Sequence, residues 1–163
     1  MTTPGSLTFF CGKMGAGKST TSARLAEEKG AVLLSEDAWL ATLYPDQITS
    51  FDDYLDRAKR LRPVVRDLVL QILRAGADVV MDFPANTARQ RQWFRDLAAE
   101  AEADHTLIYL DASDDLCLAR IAKRRTEQPE RARFDTPEVF HQVTQYFEEP
   151  KDGEGLIIQR VEP

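Results

Sequence analysis

Short continuous apolar runs alternate along the chain with longer stretches in which apolar residues return every three or four positions. Residues 7–11 read as a strand buried on both faces, 19–29 as a helix stopped by Gly30, and 31–34 as a second short strand. Leu55, Leu61, Val65, Leu68, Val69, Ile72 and Leu73 recur at helical spacing, which predicts a long amphipathic helix kinked or broken at Pro63 and closed by Gly76. Residues 77–81 form the third strand, 88–103 a helix after Asn86 and Thr87 as capping residues, and 105–110 the fourth strand. Ser113 caps a helix carrying Leu116 and Ile121, and Thr136-Pro137-Glu138 starts another, with Phe140, Val143 and Phe147 on its buried stripe. After a loop over 150–155, residues 156–161 make the last strand. Five strands separated by helices predict an α/β fold with a parallel sheet covered on both faces.

The first strand ends in Gly12-Lys13-Met14-Gly15-Ala16-Gly17-Lys18-Ser19-Thr20, which satisfies the phosphate-binding loop pattern at every constrained position. Glycines in such a turn let the backbone approach an anion closely, and the next helix aims its free amides and positive dipole end at the same place. Lys18 is expected to reach the terminal phosphates, and the Ser19 hydroxyl to ligate a magnesium ion bridging them.

Ligands of open parallel sheets sit beyond the carboxyl ends of the strands, so the acids found there become candidates. Strand two leads into Ser35-Glu36-Asp37-Ala38-Trp39. Asp37 is the preferred general base, taking the proton of an acceptor hydroxyl, and Glu36 competes for that role. Ser35 capping a helix whose dipole favours both acids accounts for the same residues. Strand three ends in Asp82, the candidate second magnesium anchor. Between 38 and 62 the aromatics Trp39, Tyr44, Phe51 and Tyr54 lie among several aspartates, consistent either with an acceptor-binding lobe or with core packing. Arg57, Arg60, Arg62 and Arg66 are expected on a solvated helix face, and one or both of Arg89 and Arg91 are expected to face solvent. Arg120, Lys123, Arg124 and Arg125 lead into a polar segment, so residues 120–135 read as a lid whose arginines close over the nucleotide.

Length and composition change this picture little. The 163 residues suit a single domain over 1–163, and 43% hydrophobic content suffices for its core. A net charge of -6 disfavours extended nucleic-acid binding and points to small-molecule partners. Cys11 and Cys117 lack metal-ligand spacing and fit core positions in a reducing cytoplasm, while His105 and His141 read as structural. No apolar stretch has the length of a membrane span.

With these residues placed, the chain resembles the small P-loop kinases over nearly its whole length. It is most similar to the polynucleotide-kinase-like and zeta-toxin-like set, which includes chloramphenicol phosphotransferase. The matching features are the 12–20 loop, Asp37 in Ser-Glu-Asp-Ala-Trp, the segment from Asp82 to Trp93, and the arginine helix that follows Asp111. The resemblance implies a three-layer α/β/α P-loop NTPase fold with sheet order 2-3-1-4-5. It also implies that Asp37 activates the acceptor hydroxyl and that Arg120 and Arg124 contact phosphates. The loop is spelled like that of shikimate kinases, but Asp82-Phe83-Pro84 stands where those enzymes carry a glycine triplet, and no Asn-Lys-x-Asp guanine-reading motif is present. The expected activity is transfer of the ATP γ-phosphoryl group to a hydroxyl of a small molecule, with Mg2+ as cofactor. A polynucleotide or nucleoside 5′-hydroxyl kinase and a nucleotide-binding regulatory or toxin-like partner protein are the alternatives.

Overall fold

The computed structural model describes residues 2–163. Strand β1 (Leu7–Cys11) feeds helix α1 (Lys18–Lys29), and β2 (Val32–Ser35) runs directly into α2 (Glu36–Leu43). The long α3 (Phe51–Arg74) precedes β3 (Val79–Pro84), α4 (Ala88–Glu100) and β4 (His105–Leu110). Helix α5 (Asp114–Glu127), a short 3-10 turn at Pro129–Arg131, α6 (Pro137–Thr144) and β5 (Ile158–Val161) complete the chain.

The strands form one sheet in the order β2-β3-β1-β4-β5, with every pairing parallel. Alternation along the strands sorts their side chains onto the two faces, because successive residues point opposite ways. Leu7, Phe9 and Cys11 of β1 join Val79 and Met81 of β3 in a core shared with α2, α3 and α4. Phe10 and Val80 face the other way, into a second core with Ala26 of α1, Cys117 and Ile121 of α5 and Phe140 of α6. The sheet is thus the middle of three layers, and its order agrees with the resemblance.

Several boundaries differ from the expected ones: β3 spans Val79–Pro84 rather than 77–81, so Asp82 lies within it, and α6 stops at Thr144, short of Phe147. Helix α3 runs through Pro63 without a break; Pro63 lies on its exposed side, where the lost amide donor leaves no buried gap. Helix α4 ends at Glu100, and Glu102 takes a positive φ of 54° to turn the chain toward β4. Strand β5 begins at Ile158, since the Ile157 amide donates instead to Nε2 of His105 at 3.2 Å. Residues 38–62 comprise most of α2, a connection and the first half of α3. Leu40, Ala58 and Leu61 are buried there, and Trp39, Tyr44 and Tyr54 pack against the core.

Candidate active site

The loop between β1 and α1 owes its shape to glycines at two points. Gly15 and Gly17 have φ of +83° and +101°, and a Cβ on Gly15 would lie 2.7 Å from the Cys117 carbonyl oxygen. Gly17 is also the N-cap of α1 and offers no side chain to its amides, so the helix start keeps its donors for an anion. Lys18 Nζ donates to the Gly12 carbonyl at 2.6 Å. Burial pushes the Lys18 pKa below the usual lysine value, and the nearby Asp82 and Asp37 carboxylates oppose that shift. Asn86 does not cap α4 as its sequence position suggests. Thr87 and Gln90 form the capping box, and Asn86 Oδ1 accepts the Gly12 amide at 3.0 Å, fastening the loop to the end of β3.

Asp37, the preferred base, and Glu36, its competitor, are separated by the structure. Ser35 caps α2 by accepting the Ala38 amide, and the two acids then point to different surroundings. Glu36 is 1% exposed, accepts a hydrogen bond from the Tyr54 hydroxyl, and lies 3.6 Å from Nη2 of Arg62. Arg62 was expected in solvent; instead its guanidinium stacks 4.8 Å from the Trp93 ring centre, with Phe83 and Phe94 close by. Burial raises the Glu36 pKa, with Tyr54 and Arg62 working against that shift. Asp37 is exposed and lines the cleft.

Asp82 stands at the carboxyl end of β3, paired in register with Ser35, which explains its nearness to Asp37. Burial raises its pKa; the Ser19 hydroxyl lowers it by bonding the ionised form, Asp37 raises it further, and Lys18 lowers it. Ser19, Asp82, Asp37 and Lys18 are therefore gathered at one edge of the sheet. Among the described residues no group of three or more His, Cys, Asp or Glu side chains could hold a metal ion by itself.

The basic run lies on α5 and continues past it. Arg120 Nη1 donates to the Ala16 carbonyl at 2.8 Å, bracing the phosphate loop. Arg124 and Arg131 both bind Asp135, which is 1% exposed. All three arginines line the cleft. Asp135 carried no signal in the sequence, because nothing in a polar segment marks which acid folds inward. Lys13 pairs with Asp114 at 2.7 Å, across the loop mouth. Arg89 faces solvent, but Arg91 does not: it is 1% exposed, bound to Glu154 and to the Ala85 carbonyl, with Cys11 Sγ at 3.8 Å. Both cysteines are free and buried, and burial pushes the Cys11 thiol up to about 11. Among the described residues no helix is long and apolar enough to cross a membrane.

These features surround a cleft of about 560 Å³ that runs from the phosphate loop past Asp37 and Asp82 to the start of α3 and the end of α6. Such a cleft at the carboxyl edge of a 2-3-1-4-5 sheet, floored by a phosphate loop, defines a small P-loop kinase fold. The chain belongs to the AAA domain family, whose pattern matches residues 7–150. A candidate kinase from Chloroflexus aurantiacus shares the fold at 23% identity and a TM-score of 0.74, over 99% of this chain and 86% of that one. The APS kinase of Mycobacterium tuberculosis, solved with AMPPNP and APS, is 25% identical with a TM-score of 0.66, over 98% and 89% of the two chains. A sugar kinase from Janibacter sp. HTCC2649 is 18% identical with a TM-score of 0.62, over 98% and 86%. No curated protein matches the chain.

Proposed function

We propose that the protein transfers the γ-phosphoryl group of ATP to a hydroxyl of a small molecule. The convergence of Lys18, Ser19, Asp82 and the exposed Asp37 on one cleft carries this reading. The 12–20 loop holds the triphosphate through its amides, and Lys18 exchanges its bond to the Gly12 carbonyl for the terminal phosphates. A hydroxyl and a carboxylate in the same cleft lining, Ser19 and Asp82, are the oxygen donors that suit a magnesium ion arriving with the nucleotide. When bound, that ion neutralises charge developing on the phosphates. Asp37 accepts the hydroxyl proton as the acceptor oxygen bonds to the γ-phosphorus and the bond to the β-γ bridging oxygen breaks, releasing ADP. Glu36 is already engaged with Tyr54 and Arg62, which leaves the base role to Asp37.

On this reading residues 38–62 supply the acceptor lobe, 120–135 act as the lid, and Arg120 and Arg124 steady the transferring group, all within one domain over 1–163. AMPPNP in the APS kinase structure supports ATP as donor. The net charge of -6 favours a small acceptor over a polynucleotide, and the two free thiols fit a reducing cytoplasm. The experiment is magnesium-ATP turnover against a panel of alcohols, sugars, nucleosides and antibiotics, with 5′-hydroxyl oligonucleotides as a separate arm. With an acceptor in hand, Asp37→Asn should lower kcat by about 100-fold or more. An Asp37→Asn enzyme within a few-fold of the parent would refute the base assignment.

A further inference from the structure

The cleft has a second end, away from the phosphates, that phosphoryl transfer does not explain. Four large apolar side chains reached by solvent, Phe51, Leu55, Phe134 and Tyr146, border this same cleft. Single exposed apolar residues are ordinary on a protein surface, but a group gathered on one concave site is not. Phe51, 40% exposed, opens α3, and Tyr146, 63% exposed, follows α6. Their rings lie nearly parallel, with an interplanar angle of 17° and centroids 6.4 Å apart, and Phe51 also stacks with Tyr54 at 6.0 Å. A flat ring held between two others separates them by about 7 Å, twice the usual carbon contact distance. The Phe51 and Tyr146 centroids stand 6.4 Å apart, just short of that spacing, so such a stack needs a shift of one ring.

One unused polar atom belongs to the lining of the same cleft. Thr144 Oγ1 is buried without a hydrogen-bond partner, and the residue lines the cleft, whereas Glu36 Oε2 faces Arg62. Buried polar atoms in native proteins are nearly always satisfied, so a ligand is the natural source of the missing bond. From the near-parallel exposed rings of Phe51 and Tyr146, with the unpartnered Thr144 hydroxyl in the same cleft lining, we infer that the acceptor is a flat aromatic or heteroaromatic alcohol. Its ring stacks between Phe51 and Tyr146, a polar substituent bonds Thr144, and its hydroxyl extends toward Asp37. This rests on the kinase reading for the identity of the ligand as acceptor, while the ring slot itself can be probed without turnover.

The test is saturation-transfer NMR on the full chain with Mg-AMPPNP filling the nucleotide site. The probes are benzyl alcohol against cyclohexylmethanol, and adenosine against ribose. Saturation should pass to the ring protons of benzyl alcohol and adenosine and not to the saturated partners. Phe51→Leu and Tyr146→Leu, which keep an apolar surface but no ring, should weaken the aromatic signal at least about fivefold, the lower bound for losing one stacking partner. Tyr146→Phe should retain it. Equal transfer to the saturated probes, or leucine variants that behave as the parent, would overturn the inference. Calorimetry of Mg-AMPPNP on the same samples keeps the two readings apart: absence of nucleotide binding sinks the kinase assignment, whereas the benzyl alcohol pair still reports on the slot.

Discussion

Arg124 grips Asp135 through two donors, Nε at 2.9 Å and Nη2 at 2.6 Å. Arg131 binds the same carboxylate at 3.1 Å, so two cations share one buried anion and leave surplus positive charge at the rim of the cleft. Two guanidiniums tied to one anchor keep their directions when that anchor is rigid.

Asp135→Ala should remove that anchor and set the two arginines against each other. The stability loss should be about 1–3 kcal/mol, below the full cost of breaking a buried pair because both arginines remain partly wet. Urea denaturation measures it. If the arginines act on the transferring group, kcat should also fall by about 10- to 100-fold with little change in acceptor KM. A variant that is less stable but turns over normally would confine Asp135 to a structural role.

Asp82→Asn should stabilise the nucleotide-free protein at neutral pH and damage its function. The folded protein holds the Asp82 proton more tightly than the unfolded chain does, because burial raises the pKa above 3.8. Stability therefore falls as pH rises from 3.8 through the raised value and then levels off. The variant should melt higher than the parent at pH 7, and the two should coincide below pH 3.8. It should also lose about tenfold or more of magnesium-dependent turnover.

Tyr54→Phe should cost about 1–2 kcal/mol in chemical denaturation, since it strips the one hydroxyl that bonds the buried Glu36 carboxyl. Asp37 follows Glu36 in the first turn of α2, so a looser Glu36 should also lower kcat, and Arg62→Met should act in the same direction. Additive effects in the Tyr54 and Arg62 double variant would show that the two do not share the Glu36 carboxyl.

Gly15→Ala should abolish detectable Mg-AMPPNP binding by calorimetry. The substituted residue must adopt a φ of +83°, a strain of about 1–2 kcal/mol, and its methyl group meets the Cys117 carbonyl at 2.7 Å. The backbone of α5 and the phosphate loop cannot both keep their places.

The sheet and the phosphate loop were legible because their signals are local. Apolar runs of strand length, the Gly12 to Thr20 spacing and acids at strand ends all lie within a few residues of the feature they predict. What escaped depends on distant partners. Glu36 and Asp37 are neighbours in sequence, and only Tyr54 and Arg62, brought back by the fold of α3, draw one inward. Arg62 looked solvated because Trp93 and Phe94, the rings it stacks on, are a whole strand and helix away. Which of Arg89 and Arg91 would face solvent was open for the same reason: the anion that holds Arg91 inside is Glu154. At Pro63, where a kink or break was expected, the helix continues, since packing of Leu61 and Val65 against the core holds it on both sides.

The ion pair between Arg91 and Glu154 also joins two distant parts of the chain beneath the phosphate loop. The phosphate loop is encoded near the start of the chain, yet the guanidinium packed against Cys11, just before it, has its carboxylate in the loop that leads to β5. A chain leaving the ribosome therefore shows its whole nucleotide motif long before the cation beneath that motif can be neutralised. The firmness of the ground under the loop is thereby tied to the distant segment that carries Glu154.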